Sequence, residues 1–451
     1  MAVARDGCRR RTRRGVPRHT VGRAAAPRRA RGPRLGATRS RRPASRPPSA
    51  PPPAVGSCDP PRGGRVRHRA TALTATTALL LAACGSQDPD PAPPAEAPDA
   101  ADPTEPAEPP TDDPPPAEDE DDEGEADPAD VEVAVTDVAT GLAAPWDVAF
   151  LGERVFVTER DTGRLVELAD DGTTTEVRQF DVDPAGEGGL LGLAAAPDEH
   201  ALYVYYTGAD DNRVVRIVPD DPGGEDLIVT GIPKAATHNG GRLAFGPDGM
   251  LYVATGDAQD TSLPPDETSL AGKILRVDPD GEVPDDNPFG NPVWSLGHRN
   301  VQGLAFDADG TLYAAEFGPE VDDEVNVIEP GGDYGWPEVT GEVGRDDYVD
   351  PLLVRQPDEA SWSGGTVLLD GAIPQWEGDL FVASLRGERL WRLTVEDGEV
   401  VDDEELLVGD HGRLRDVLQA PDGSLWVLTN NTDGRGDPDV DDDRILRLGP
   451  A

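Results

Sequence analysis

A short motif that occurs six times is the feature that most constrains the fold of this 451-residue chain. In each copy a turn precedes a short apolar strand, and the copies are GERVFVTER, DEHALYVYYTG, PDGMLYVATGD, ADGTLYAAEFG, EGDLFVASLRG and PDGSLWVLTNN. Their strands start at Val155, Leu202, Leu251, Leu312, Leu380 and Leu425, at intervals of 45 to 68 residues. Self-similarity at such a period indicates a repeat architecture.

A second short strand follows each copy at some distance, and these six strands are GRLVEL, NRVVRI, GKILRV, DEVNVI, ERLWRL and DRILRL. Apolar and polar residues alternate in them, with Gly, Asp and Pro between, as is typical of antiparallel strands. We therefore predict an all-β fold for residues 131–451, a six-bladed β-propeller of four-stranded antiparallel blades. A pair of β-sandwiches would show fewer and less regular repeats. The longest intervals, between Leu251 and Leu380, predict extra loops that carry the functional site.

Charge divides the chain into two unlike parts. Residues 1–69 hold 20 of the 41 basic residues and two acidic ones, whereas the chain from Cys84 onward has 85 acidic against 21 basic residues. So acidic a surface repels nucleic acid and anionic lipid, and we predict no nucleic-acid partner. Residues 1–61, rich in Arg and Pro, are interpreted as a wrongly assigned start. A basic nucleic-acid-binding arm is the alternative, but it conflicts with the export signal that follows these residues.

Residues 62–83 combine the basic stretch RGGRVRHRA with the apolar TALTATTALLLAA, and small residues precede Cys84 in LAAC. The apolar stretch is too short to span a bilayer as a mature helix. The pattern resembles a bacterial lipoprotein signal, which implies export and a lipid on Cys84 that anchors the chain to the outer face of the cytoplasmic membrane. The alternative is an export signal followed by an unmodified cysteine.

The segment 84–130 contains 18 acidic residues, no basic residue and many prolines. Such a composition cannot bury an apolar core, so we predict a disordered tether between the anchor and the propeller. Calcium buffering by this acidic run is an alternative.

Three longer stretches carry a family resemblance: THNGGRLAFGPDGMLYVATGD, GHRNVQG and GPEVDDEVNVIEPGGDYGWP. They are similar to the soluble quinoprotein glucose/sorbosone dehydrogenases, and the similarity runs from about Gly141 to Leu448. The resemblance implies a six-bladed propeller that holds pyrroloquinoline quinone (PQQ) and calcium. It also implies oxidation of an aldose at its anomeric carbon to a lactone, with electrons passed to an external acceptor.

The resemblance implies that His238 is the catalytic base and that Asp257 orients it. This chemistry needs a group that takes the hydroxyl proton while hydride leaves for the quinone, and a neutral imidazole suits that task. The alternative is that His238 only shapes a turn.

In GHRNVQG the resemblance implies that Arg299, Asn300 and Gln302 contact the quinone, with Arg299 donating to developing negative charge. We interpret the adjacent His298 as structural.

Arg413 and Arg415 alternate with apolar residues in GRLRDVLQ, so both are predicted to project from the same side of a strand. The resemblance implies that this pair lies near the carboxylates of the quinone, with Arg386 as a further candidate. Surface salt bridges with the abundant acids are the alternative. Glu187 matches a cofactor-binding position that is glutamine in strong glucose oxidisers, which puts a preference for glucose in doubt.

Calcium is implied at two places, because hard cations bind oxygen ligands. Gly318 and Pro319 match carbonyl ligands of a calcium ion that anchors the quinone, and Glu324 and Tyr334 match a second calcium site. For the second site the alternative is a solvated acidic loop.

Since the chain lacks long insertions known from dimeric relatives, we expect a monomer. A non-catalytic binding propeller on the cell surface and a calcium-dependent lactonase are the competing functions, and the lactonase has no support from these motifs.

We predict that Cys84→Ser releases the protein from membranes. A lipid chain contributes about 0.8 kcal/mol per buried methylene, and the acidic segment behind Cys84 adds no attraction to anionic lipid. Fractionation of cells that express the wild-type and variant chains tests this. A variant that stays with the membrane fraction would show that LAAC is not a lipidation site.

Overall fold

The computed structural model describes residues 131–451, which form six four-stranded antiparallel sheets. The N-terminal extension, the signal with Cys84 and the acidic tether, predicted for 1–61, 62–83 and 84–130, lie outside the described residues. Blades 1 to 3 consist of β2 (Pro145–Leu151), β3 (Arg154–Glu159), β4 (Arg164–Leu168), β5 (Thr174–Gln179); β6 (Leu190–Ala195), β7 (Leu202–Thr207), β8 (Asn212–Val218), β9 (Asp221–Ile232); and β10 (Leu243–Phe245), β11 (Leu251–Ala254), β12 (Lys273–Val277), β13 (Val293–Leu296).

Blades 4 to 6 consist of β14 (Val301–Phe306), β15 (Leu312–Glu316), β16 (Asp323–Ile328), β17 (Leu353–Arg355); β18 (Trp362–Val367), β19 (Leu380–Ser384), β20 (Arg389–Glu396), β21 (Glu399–Leu406); and β22 (Leu414–Gln419), β23 (Leu425–Thr429), β24 (Ile445–Pro450) with β1 (Val133–Ala139). A single turn of 3₁₀ helix, Pro374–Trp376, interrupts the pattern. Within residues 131–451 no helix has the length and apolar character needed to cross a membrane. The predicted six-bladed propeller is confirmed, and the two repeated motifs are the second and third strands of each blade.

The ring closes because the first strand completes the last blade. β1 pairs antiparallel with β24, with Val133 opposite Pro450 and Val135 opposite Leu448. Blade 6 thus takes strands from both ends of the described domain, and its outer edge is covered by a strand that precedes blade 1 in sequence. This closure removes two strand edges that would otherwise stay unpaired.

The core consists of six apolar clusters, and each lies between two neighbouring blades. Phe156 of blade 1 and Val204 of blade 2 meet in one cluster, and Val157 of blade 1 meets Leu428 of blade 6 in another. Because each blade packs on both faces, its middle strands are almost entirely buried, as in LYVYYT of β7. Burial of each large apolar side chain contributes about 1.5–3 kcal/mol, so the repeated strands stabilise the whole ring.

A buried ionic cluster links the first strands at the centre of the ring. Arg242, just before β10, contacts Asp147 of β2 at 2.8 Å and Asp416 of β22 at 2.9 Å, and its guanidinium stacks on Trp146. Burial raises the pKa of both carboxyls above the usual range, although the charge of Arg242 opposes that rise. One cation therefore compensates two buried acids from blades 1 and 6.

We predict that Arg242→Ala lowers the free energy of unfolding by about 3–5 kcal/mol at neutral pH, because it leaves buried carboxylates without their cation. The loss should shrink as the pH falls, since the folded variant takes up protons on these acids and the protonated form needs no partner. Urea denaturation at several pH values measures both effects.

Arg447→Ala is the matched control. Arg447 pairs with Asp422 at 2.9 Å on the exposed surface, and such pairs contribute about 0–1 kcal/mol. Equal losses in the two variants would contradict a special role for the central cluster.

Candidate functional site

The candidate residues that line the cavity lie on one face of the propeller, and the topology of the blades explains why. Adjacent strands in a blade are antiparallel, so the loops that enter each first strand and the loops that follow each second strand emerge on the same side. A cavity of about 300 Å³ opens there. Its walls include nine of the residues singled out from the sequence: Glu187, His238, Arg299, Gln302, Gly318, Pro319, Arg386, Arg413 and Arg415.

His238 and Asp257 form a close pair in the wall of this cavity. Nδ1 of His238 lies 2.7 Å from Oδ1 of Asp257, whose side chain is 1% exposed. Trp336 donates its indole N–H to Oδ2 of Asp257 at 2.9 Å, and the amide of Gln259 donates to Oδ1. Burial disfavours the ionised carboxyl, but the hydrogen bond and charge of His238, with the two other donors, outweigh burial and lower the pKa of Asp257.

These contacts determine which nitrogen of His238 is basic. An ionised Asp257 accepts hydrogen bonds only, so it requires a proton on Nδ1 of His238. In the neutral ring the lone pair is then on Nε2, the nitrogen not used by Asp257. The pair can therefore accept a proton from a group in the cavity and stabilise the resulting imidazolium.

Two glycines allow the chain segments that carry this pair to cross at close range. A Cβ on Gly256 would lie 2.0 Å from the carbonyl oxygen of His238, and one on Gly240 would lie 2.5 Å from Cα of Thr255. Asn300 does not line the cavity but supports this crossing, because its Oδ1 accepts the amide of Gly240 at 3.0 Å. The NGG that follows His238 thus serves close packing.

Arginines dominate the charge of the cavity. Arg299, Arg413 and Arg415 each have a buried Nε without a hydrogen-bond partner among residues 131–451. Burial lowers the pKa of all three, and that of Arg415 falls to about 9 with the help of neighbouring cations. Gln302 accepts from Arg415 at 2.8 Å. Buried guanidinium groups with unused donors suit an anionic ligand that supplies the missing acceptors.

Three residues that the sequence analysis missed add to this charge pattern. Arg160 and Arg435 line the cavity from the loops after β3 and β23, which is the position in the repeat that Arg386 occupies after β19. Arg160 lies five residues after the strand start at Val155 and Arg386 six residues after Leu380, so a comparison of the repeats points to Arg160. Arg435 lies ten residues after Leu425, so the same comparison does not find it. Asp323, also in the wall, accepts the amides of Gly318 and Ser361 and so joins blades 4 and 5.

Glu324 and Tyr334 lie beside the main cavity in a smaller one, which also contains Gly318 and Glu316. Burial, with the charge of Glu316, raises the pKa of Glu324 to about 7. Asn326 donates to both carboxylates, and its buried Oδ1 has no partner among the described residues. Two close carboxylates and a spare amide oxygen are ligands that a hard cation prefers.

The phenol of Tyr334 is engaged elsewhere. Its hydroxyl donates to the carbonyl of Val327 and accepts the amide of Glu329 at 2.9 Å. Its side chain is therefore not a free ligand in this arrangement. Within residues 131–451 no group of three or more His, Cys, Asp or Glu side chains is arranged as a metal site, so a cation here would also need amide or main-chain oxygens.

His298 is completely buried and outside the cavity wall, as a structural role requires. Its ring contacts Ser295 and Glu316 at 2.8 Å each and stacks on Tyr334. Glu316 also accepts the amide of Arg299 at 2.8 Å, so His298 helps to support the loop that carries Arg299.

Comparisons with known proteins match the propeller domain. The glucose/sorbosone dehydrogenase family matches residues 142–446. The chain is 31% identical to an aldose sugar dehydrogenase of Escherichia coli over 345 residues, which cover 68% of this chain and 92% of that protein. It is 28% identical to quinoprotein glucose dehydrogenase B of Acinetobacter calcoaceticus over 388 residues, which cover 61% of this chain and 81% of that protein.

A solved structure also resembles the propeller. It is the PQQ-bound form of an aldose sugar dehydrogenase from Streptomyces coelicolor, which matches with a TM-score of 0.66 and 46% sequence identity. The match covers 71% of this chain and 98% of that one.

Proposed function

Because the chain belongs to the glucose/sorbosone dehydrogenase family, we propose that it is a PQQ-dependent oxidoreductase that oxidises aldoses at the anomeric carbon to lactones. The observation that carries this proposal is the His238–Asp257 pair in the wall of an arginine-lined cavity. The pair supplies a proton acceptor, and the arginines supply fixed positive charge for an anionic cofactor.

The residues present fit PQQ, which carries several carboxylates. The unpartnered Nε atoms of Arg299, Arg413 and Arg415 are donors that such carboxylates would satisfy, and Arg386 adds a cation to the same wall. When bound, PQQ would accept the hydride. The protein would hold it in place through charge-assisted hydrogen bonds from these arginines.

His238 would take the proton of the anomeric hydroxyl on Nε2, because Nδ1 is committed to Asp257. Asp257 would stabilise the imidazolium, and Trp336 would keep the carboxylate from turning away. Arg299 would donate to negative charge that develops in the cavity, and its guanidinium is held by the carbonyl of Phe317 at 3.1 Å.

Calcium fits two places with different support. At Gly318 only glycine is tolerated, because an added Cβ would lie 2.0 Å from the carbonyl oxygen of Val321, and this tight loop can present carbonyls to a cation. Near Glu324 the support is the unpartnered Oδ1 of Asn326 beside two carboxylates. A calcium ion there would keep Glu324 ionised at neutral pH.

A non-catalytic binding propeller explains these features less well. A module that binds protein partners through its surface has no need of buried arginines with unused donors, each of which costs desolvation energy. The lipid anchor on Cys84, export to the cell surface, an external electron acceptor and a monomeric state remain part of the proposal.

Reconstitution tests the function directly. The purified apoprotein should reduce an artificial electron acceptor with an aldose only after PQQ and calcium are both added, and a screen of aldoses would identify the substrate. Activity with a nicotinamide cofactor alone would refute the proposal.

We predict that His238→Ala lowers turnover by roughly a hundredfold to ten-thousandfold, the usual cost of losing a general base. Folding and quinone binding should stay nearly intact, and Asp257→Asn should lower turnover as well. The exposed His200→Ala is the matched control. Melting temperature, quinone titration and steady-state rate on the same samples check this. If folded His238→Ala protein kept normal turnover and only its melting temperature fell, His238 would be a turn residue.

A further inference from the structure

The loop before β6 packs directly on the loop that carries His238. The amide of Glu187 donates to the carbonyl of Ala236 at 2.7 Å, and a Cβ on Gly186 would lie 2.0 Å from the same oxygen. The Glu187 carboxylate then reaches past this contact, and its Oε2 accepts the amide of His238 at 2.9 Å. Blade 2 thus contributes a charged acceptor to the backbone of the candidate base.

That hydrogen bond acts on a strained backbone. His238 has φ of 60°, in the left-handed region that non-glycine residues seldom adopt. Such a conformation persists only when the surrounding structure holds it. The carbonyl of His238 accepts the amide of Ala258 at 3.2 Å, so Glu187 and Ala258 hold the residue from both sides. The backbone conformation in turn determines where the imidazole points.

Arg435 compensates the charge of Glu187. It lies in the loop between β23 and β24 of blade 6, and its NH1 contacts Oε1 of Glu187 at 3.0 Å. The Arg435 side chain is 49% exposed, whereas that of Glu187 is 16% exposed, so the pair lies at the mouth of the cavity. Both carboxylate oxygens of Glu187 are therefore used, one by His238 and one by Arg435.

We propose that Glu187 is a positioning residue for His238, and that Arg435 holds the Glu187 carboxylate in the orientation this task requires. The proposal rests on the proposed function, in which His238 is the base. In this proposal the Glu187 carboxylate binds the backbone amide of His238 and does not contact the cofactor. A negatively charged Glu187 beside the carboxylates of the quinone would repel them. The loops of blades 2, 3 and 6 together then determine the orientation of the His238 imidazole.

Three variants of the full-length chain separate these roles. Glu187→Ala removes the acceptor, Glu187→Gln keeps an oxygen acceptor without charge, and Arg435→Gln removes only the compensating cation. Glu167→Gln is the matched control, since Glu167 pairs with Arg154 at 2.8 Å and neither residue lines the cavity. Melting temperatures identify any variant that fails to fold.

Hydrogen exchange of the apoprotein, followed by mass spectrometry on peptides that span 232–243, is the first readout. Loss of a hydrogen bond to a charged acceptor should speed exchange of the His238 amide by roughly tenfold or more in Glu187→Ala. Glu187→Gln should recover most of the protection, Arg435→Gln should lie between, and Glu167→Gln should match the wild type. Wild-type exchange in Glu187→Ala would overturn the proposal, even if no aldose is ever oxidised.

Steady-state kinetics and quinone titration give the second readout. Glu187→Ala should lower kcat by roughly tenfold or more with KM nearly unchanged, Glu187→Gln should restore kcat to within about threefold, and quinone affinity should not fall. If Glu187→Gln were as impaired as Glu187→Ala and both bound quinone more weakly, Glu187 would be a cofactor ligand and the positioning role would be wrong. Absence of aldose oxidation in the wild type would refute the proposed function and leave the exchange result to decide the positioning role.

Discussion

The ion cluster at the centre of the ring is the constraint on which the other parts of the structure depend. Arg242 must serve Asp147 and Asp416 together, and two buried carboxylates around one guanidinium tolerate little displacement. Arg242 also donates through Nε to the carbonyl of Gln302 at 2.9 Å, and the side chain of Gln302 accepts from Arg415. The contact that joins the first strands of blades 1 and 6 therefore also supports Gln302 and Arg415 in the wall of the cavity.

Positive charge is concentrated in the cavity of an otherwise acidic domain, and the overall composition does not reveal this. The chain from Cys84 onward has 21 basic residues, and six arginines line a single cavity: Arg160, Arg299, Arg386, Arg413, Arg415 and Arg435. Asp433, whose pKa is lowered by Arg413 and other cations despite burial, balances part of this charge. Electrostatic attraction thus favours an anion in the cavity although the outer surface repels anions.

The fold was predictable because its signal is local and occurs six times, and the strands that start at Val155 and Leu425 could be recognised from a few residues each. Most of the candidate site was predictable from motifs that resemble a known family. Arg435 and Trp336 were missed because their contacts, with Glu187 and Asp257, join loops 248 and 79 positions apart. The hydrogen bonds of the Tyr334 hydroxyl with Val327 and Glu329 could not be predicted either, since a family resemblance does not show hydrogen bonds.

The sequence alone determined the number of blades and two strands of each, because alternation of apolar and polar residues and the turns between them are short-range properties. Only the tertiary structure decided how the ring closes, with Val135 of β1 opposite Leu448 of β24, and which loops meet over the cavity. It also decided that the carboxylate of Glu187 faces the amide of His238. These contacts join distant segments and have no period in the sequence, so they exist only once the blades have packed around the axis.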